Sequence, residues 1–351
     1  MKYYLRRLLK ECIIDLRLFT QSANKKITNQ KRKIFILGTP THGNLGDQAI
    51  AEAQLLFLKK YASEFQLLEY RDIDVFENIK EIKKAYKKGD IICFHGGGNF
   101  GDLYLTAQEQ RDYIVKRIPQ AKFVFFPQSS HFSTDKKGQQ IKQLSEKVMY
   151  KKDIEFFSRE STTYKYINQN FSFNNYLIPD IVLSMKKDMM LERKYLTIAF
   201  RKDKEKYITE KELDNVIKVF SKYEYPVKNI DTHIGNDILI DNSNRKEVLN
   251  NFLTEIAQSK ILVTDRLHGM IFGYITKTPT LVFNNNNHKI NSSYTTWLEK
   301  VNYIEMISNN YDDFEIEYKI KKLMLVTPTY KSLDEYFEPL KSIFNGRNCN
   351  E

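Results

Sequence analysis

Apolar residues in this chain gather in short runs set between longer, mixed stretches. Ile34–Leu37, Ile91–Phe94, Phe123–Phe126 and Ile154–Phe157 are runs of the kind that parallel strands buried on both faces require. Segments of helical length separate them, Gln48–Lys60 and Ala107–Ile118 among them. The alternation resumes with strands at Tyr195–Phe200, Ile261–Val263 and Thr280–Phe283, and with helices at Glu210–Tyr223 and Arg245–Ser259. Strand and helix by turns predict an α/β fold, and two such series predict two α/β domains.

Polar segments divide the chain into residues 1–30, 31–188, 189–300 and 301–351, with Lys186–Lys194 as the linker between the two series. The last segment is helical and expected to cross back onto the first domain. In the opening segment Leu5, Leu8, Leu9, Cys12, Ile13 and Leu16 recur at helical spacing, with Lys2, Arg6, Arg7, Lys10 and Arg17 around them. This basic amphipathic helix lies either in a membrane interface or on the protein's own surface.

Composition narrows the setting. A chain of 351 residues that is 42% apolar can build two cores, and no run approaches the ~20 apolar residues that span a bilayer. Arg6, Arg7, Lys10 and Asp15 interrupt the apolar residues of the start, so no cleavable signal is expected and the cytoplasm is the expected location. Cys12, Cys93 and Cys349 lack the number and spacing of a disulfide framework or a zinc site. The net charge of +11 comes with no nucleic-acid motif, which leaves anionic substrates, an anionic membrane surface or a merely basic composition to account for it.

Chemistry is expected where strands end. The junction Gly38–Asp47 carries glycines that let a backbone come close, and Asn44 and Asp47, which can bind hydroxyls or cap the following helix. It matches neither a P-loop nor a dinucleotide fingerprint. His42 in this loop is expected to face solvent. His95-Gly96-Gly97-Gly98-Asn99-Phe100-Gly101-Asp102 places three glycines in a row after a strand, a sign of close approach to a ligand or to another backbone. Asp102 can bind a sugar hydroxyl or act as a base. Gln128, Ser129, Ser130 and His131 end the next strand, and Arg159 stands before a helix as a seat for carboxylate or phosphate.

The richest junction is Thr264-Asp265-Arg266-Leu267-His268-Gly269. Arg266 and His268 at a helix start can hold an anion and exchange a proton with it; the plainer alternative is that Asp265 caps the helix and its neighbours decorate the surface. The helix dipole would lower the pKa of His268 and a bound phosphate would raise it. Lys289, in Asn287-His288-Lys289-Ile290, adds a cation. No serine-hydrolase elbow, metal cluster or Cys–His pair stands out, so the remaining chemistry is acid–base work on an anionic substrate.

Taken in order, Gly43-Asn44-Leu45-Gly46-Asp47, His95-Gly96-Gly97-Gly98-Asn99, Pro127-Gln128-Ser129, Ser158-Arg159-Glu160-Ser161, Asp180-Ile181-Val182 and Asp265-Arg266-Leu267-His268-Gly269 resemble the polysaccharide pyruvyl transferase family, over about Ile34 to Leu298. The resemblance implies two Rossmann-like domains facing a cleft, as in GT-B enzymes, with the acceptor on the 31–188 side and the donor on the 189–300 side. It implies transfer of pyruvate from phosphoenolpyruvate to a sugar of a cell-surface polysaccharide precursor, as a ketal, with no metal or further cofactor. His268 would be the general acid, and Arg159, Arg266 and Lys289 would hold the donor. Asn44, Asp47, His95, Asn99, Asp102 and Gln128 would face the acceptor, a lipid-linked oligosaccharide met at the inner face of the membrane. Two other functions fit the chain less well: a GT-B glycosyltransferase using a nucleotide sugar, for which no ribose carboxylate follows Tyr195–Arg201, and a binding protein with a degenerate site.

Overall fold

The structure, a computed structural model, describes residues 2–20, 31–186, 189, 191–201, 209–235, 237–284, 289–308 and 311–345. Parts of the polar stretch before Lys33 and of the 186–194 linker, together with His288, lie outside the described residues. The chain forms two compact units, one of Met1–Thr41, Gln54–Asp180 and Glu338–Glu351, the other of His42–Ala53 and Ile181–Phe337.

In chain order the elements are α1 (Lys2–Thr20), β1 (Lys33–Thr39), α2 (Leu45–Tyr61), β2 (Gln66–Arg71), α3 (Val75–Ala85), β3 (Ile91–Phe94), β4 (Gly97–Gly101), α4 (Leu105–Arg117), β5 (Lys122–His131), α5 (Lys136–Met149), β6 (Asp153–Ser158), α6 (Ser161–Asn170) and β7 (Asn174–Leu177). A short turn of 3-10 helix, Ile181–Ser184, precedes β8 (Tyr195–Ala199), α7 (Glu210–Phe220), β9 (Val227–Asn229), α8 (Arg245–Ala257), β10 (Ser259–Thr264), α9 (Leu267–Ile275), β11 (Thr280–Val282), α10 (Lys289–Ser293), β12 (Ile304–Met306) and α11 (Asp313–Leu325). The last helix, α12 (Glu338–Phe344), counts with the first unit, where Phe344 stacks on Phe126 of β5.

Both sheets are parallel throughout their described pairings, β2-β1-β3-β5-β6-β7 with β4 beside β5 in the first unit and β12-β11-β10-β8-β9 in the second. Each is doubly wound, and each reverses its strand order once: between β1 and β3 in the first unit, between β8 and β10 in the second. Ligands of open α/β sheets collect beyond the carboxyl ends of the strands at such a reversal. The glycine-rich segments after β1 and β3, and Asp265–Gly269 after β10, occupy those positions.

The central strands are where the apolar runs predicted them, because a strand covered on both faces must be apolar on both. Phe35, Ile92, Phe94, Phe123, Phe125 and Phe156 fill the first core, and Leu196, Ile198, Ile261, Val263 and Leu281 the second. The strands that no run announced are mainly the sheet edges, β2, β7, β9 and β12, whose partial exposure admits polar residues such as Glu69, Asn174, Lys228 and Glu305. β4 escaped for another reason, being largely glycine. It pairs with β5 from Gln128 onward, whereas β3 pairs with β5 up to Phe125. Pro127, which has no N–H to give a ladder, stands at this exchange of partners.

The units depart from the expected 31–188 and 189–300 spans: the first takes in Met1–Thr41 and stops at Asp180, the second runs from Ile181 to Phe337, and of the last segment Glu338–Glu351 counts with the first. His42–Ala53 counts with the second unit because its polar groups are satisfied there. The N–H of Leu45 donates to the carbonyl of Thr232 (2.8 Å), that of Ile234 to Gly43 (2.9 Å), and Arg245 Nε to Gln48 Oε1 (2.9 Å).

Candidate active site

The strand β10 is apolar through Ile261–Val263 and ends in a threonine that ties it down. Thr264 Oγ1 donates to the carbonyl of Ala199 on β8 (2.9 Å) and accepts from the N–H of Arg266 (3.1 Å). Asp265 is fully buried and accepts from the N–H of Arg201 through Oδ1 (2.8 Å), joining the ends of β8 and β10 across the reversal. Its Oδ2 meets no hydrogen-bond donor among the described residues, and burial pushes its pKa up to about 6. Asp265 therefore does not cap α9. Arg266 holds the N-cap position with extended backbone and no side-chain cap.

Two glycines press α9 onto the sheet. A Cβ at Gly269 would overlap the side chain of Thr264, and one at Gly273 would overlap Thr280. The first turn of α9 thus reaches the carboxyl end of the sheet with its N–H groups forward, a setting that favours an anion. Arg266 and His268 are half-buried there. Arg266 Nη2 lies 2.7 Å from Asp231 Oδ1, and the imidazole of His268 packs near Phe272. Lys289, also half-buried, opens α10, which packs against α9.

A second wall comes from residues that the patterns of the chain did not single out. Asp231, Thr232 and His233 follow β9, and His233 pairs with Asn44 in an isolated antiparallel bridge. A Cβ at Gly43 would overlap the carbonyl of Gly235, so the two turns touch backbone to backbone. Asn44 caps α2, accepting from the N–H of Gly46 (3.0 Å), and a Cβ on Gly46 would overlap the imidazole of His268. His42 accepts from the N–H of Asn44 through Nδ1 (3.3 Å), and its Nε2 stands 3.8 Å from Asp47 Oδ2. The second unit thereby brings together Asn44, Asp47, Asp231, His233, Arg266 and His268. The imidazole of His42 thus has protein partners rather than solvent alone. The one signal for Asp231 and His233 is a polar Asp-Thr-His-Ile-Gly after β9, a strand too short and too exposed to show in the hydropathy.

The remaining predicted residues belong to the first unit, where each has a hydrogen-bonding task. Gln128 is fully buried and donates to the carbonyl of His95 (2.7 Å). The N–H of Gly96 donates to Gln54 Oε1 (3.1 Å), and Arg111 donates to both the backbone and the side-chain oxygen of Asn99. At φ +127° Gly101 lies against the carbonyl of His131, a backbone approach that any Cβ would block. Asp102 Oδ1 accepts from the N–H of Ser133 (3.0 Å). Arg159 is 3% exposed, with Nη1 2.8 Å from Asp180 and Nε donating to Ser129 (2.7 Å). In this segment the close backbone approach is thus at Gly101, while Gly96 meets the side chain of Gln54.

Two doubly wound parallel sheets, one with a histidine and an arginine at its reversal, define an α/β enzyme of the GT-B-like fold class. The polysaccharide pyruvyl transferase model matches residues 44–287, and the chain belongs to that family of transferases. It is 35% identical over 322 residues to General stress protein 30 of Bacillus subtilis, covering 91% of this chain and 93% of that protein. Pyruvyl transferase 1 of Schizosaccharomyces pombe is 26% identical over 291 residues, 76% of this chain and 70% of its own length. Among solved structures, the UDP-GlcNAc 2-epimerase of Methanocaldococcus jannaschii aligns with a TM-score of 0.53 over 90% of this chain and all of that one. At 10% identity this likeness is one of fold.

Proposed function

We propose that the protein transfers pyruvate from phosphoenolpyruvate to a sugar of a polysaccharide precursor. The observation that carries this reading is the junction after β10, where Arg266, His268 and the first N–H groups of α9 share one end of a parallel sheet. In this scheme Arg266 and Lys289 hold the phosphate and carboxylate of the donor. His268 gives its proton to the methylene carbon, leaving an oxocarbenium-like centre at the neighbouring carbon. A sugar hydroxyl adds there through its oxygen, and its proton restores the acid. A second hydroxyl then displaces phosphate, closing the ketal ring and releasing one proton. Asn44 and Asp47, which flank in sequence the Gly46 that lies against His268, would orient those hydroxyls. Arg159, already neutralised by Asp180, holds the end of β6 in this scheme rather than the donor.

The test is incubation with phosphoenolpyruvate and extracted lipid-linked oligosaccharide, following phosphate release and the mass of the saccharide. A pyruvate ketal on the sugar is the expected product. Consumption of a nucleotide sugar with phosphoenolpyruvate untouched would replace this reading by glycosyl transfer.

A further inference from the structure

An amphipathic helix that packs on its own protein normally turns its apolar face inward. Helix α1 does the opposite. Arg7 Nη2 is 2.9 Å from Asp112 Oδ2, with both side chains buried, and Glu11 binds Arg7 and Lys116. Lys10 and Tyr3 both reach Glu109. Asp15 accepts from Tyr113 (2.6 Å) and pairs with Arg117. Among the apolar side chains of the helix, Tyr3 and Ile14 join the core of the first unit. Leu5, Leu9, Ile13 and Leu16 stand 54%, 60%, 50% and 70% exposed.

The outward face is sorted by charge as well. At 3.6 residues per turn Leu5, Leu9, Cys12 and Leu16 fall within an arc of about 60°, with Ile13 and then Arg6 and Arg17 on one flank. Glu11 and Asp15 lie on the inward half, neutralised by the partners just named. The face presented to the outside therefore combines leucines with exposed arginines, and the carboxylate described at its edge, Asp15, is paired with Arg117.

From this we infer that α1 is a membrane-contact surface, docked on the protein by its polar side and open on its apolar side to a bilayer rich in anionic headgroups. No helix among the described residues is long and apolar enough to cross a membrane, so the contact is interfacial. Leucines would enter the headgroup–acyl boundary while Arg6 and Arg17 meet lipid phosphate. A second copy of the chain fits the face less well, because the carboxylate described at its edge, Asp15, is already paired with Arg117 within the same chain. This inference is independent of the reaction, since neither donor nor acceptor enters it.

The experiment is flotation of the full-length protein with unilamellar vesicles of phosphatidylcholine alone or mixed with phosphatidylglycerol. The expected result is binding to the mixed vesicles that weakens as salt rises. Leu9→Gln/Leu16→Gln keeps the charge and touches exposed positions, and it should lower partitioning about tenfold or more. Arg6→Gln/Arg17→Gln should remove much of the preference for phosphatidylglycerol. Binding of the leucine variant equal to that of the unsubstituted protein would mean that net charge alone acts, and would overturn the inference. So would a dimer in solution that dissociates on the same substitution, or a failure of the unsubstituted protein to bind. Should the leucine variant not fold, Cys12 supplies a second readout: in a Cys349→Ser background it is the exposed thiol, with Cys93 buried. A polarity-sensitive fluorophore on Cys12 should shift to the blue with mixed vesicles, and no shift would count against the inference.

Discussion

Arg159 and Arg266 occupy the same local position, each at the turn from a parallel strand into a helix, yet the two turns treat the charge differently. Arg159, after β6, is 3% exposed and sits between Asp180 at 2.8 Å, Glu160 at 3.6 Å and the hydroxyl of Ser129. Its unit holds more negative than positive charge around it. Arg266, after β10, has the partly exposed Asp231 at 2.7 Å, and beside it stand a half-buried histidine and the open first turn of α9. An arginine at a strand end is therefore not by itself an anion site. What differs is the surroundings: Arg159 lies buried between two carboxylates, whereas Arg266 has one carboxylate against it at the start of a helix.

The largest effect should come from the side of Arg266. His268→Ala is expected to lower kcat by about 10²- to 10⁴-fold, the range of a general acid, with an unchanged thermal transition. Arg266→Ala should raise the KM for phosphoenolpyruvate by about 10- to 100-fold, the worth of hydrogen bonds to a charged ligand, and, since its pair with Asp231 is largely buried, lower stability by about 1–3 kcal/mol. Steady-state kinetics with a denaturation curve for each variant checks both. A His268→Ala enzyme of near-normal rate would end the general-acid assignment.

Arg159→Ala should behave in the opposite way. Removing one member of a buried pair leaves the other charge in a poor dielectric, which costs about 3–5 kcal/mol. Denaturant unfolding should record that loss, and what activity survives should keep its KM for the donor. A stable Arg159→Ala protein with weakened donor binding would place Arg159 at the ligand and erase the contrast.

How much of this contrast a reader of the chain could anticipate depends on what each residue's surroundings are made of. The strands β1, β3, β5, β6, β8 and β10 announce themselves because burial on both faces demands apolar runs. The junctions at their ends follow directly, so Arg159 and Arg266 both emerge as candidates. Their difference does not, because Asp180 is 21 residues from Arg159 and Asp231 is 35 from Arg266, and no local pattern links such positions. The same holds for His42–Ala53. Its helical pattern is plain in the sequence, but the carbonyl of Thr232 and the side chain of Arg245 that draw it into the second unit are tertiary facts. Asp231 and His233 stayed hidden behind the short edge strand β9.

Gly46 sharpens the comparison on the Arg266 side. A Cβ there would overlap the imidazole of His268, which can escape only by turning away. Gly46→Ala should therefore cut kcat about tenfold or more, since small displacements of a positioned group are costly, while the KM for phosphoenolpyruvate changes little. Gly89→Ala, in a surface turn of the first unit, is the control for a glycine at positive φ far from this histidine along the chain. It should affect stability and leave kcat alone. Equal kcat for Gly46→Ala and the unsubstituted enzyme would show that the imidazole is not held by this contact.

The smallest effect is a pH dependence that separates the two junctions by their carboxyls. Asp180 has Arg159 against it, whereas Asp265 is fully buried, accepts one backbone N–H and carries a second oxygen with no donor among the described residues. Burial pushes the Asp265 pKa up to about 6, against about 3.9 for an unfolded aspartate. Between those two values the unfolded chain has lost the proton and the native protein keeps it, so stability falls as pH rises. The contribution is complete below about pH 4 and gone above about pH 6, and it amounts to something on the order of 2 kcal/mol. Asp265→Asn keeps an oxygen for the N–H of Arg201 and cannot ionise. Urea denaturation from pH 4 to 7.5 should therefore show the unsubstituted protein losing ground to Asp265→Asn as pH rises, with most of the change below about pH 6. Parallel stability curves for the two proteins would mean that Asp265 is charged throughout and that Arg266 shares its neighbourhood with two carboxylates, removing the electrostatic difference between the junctions.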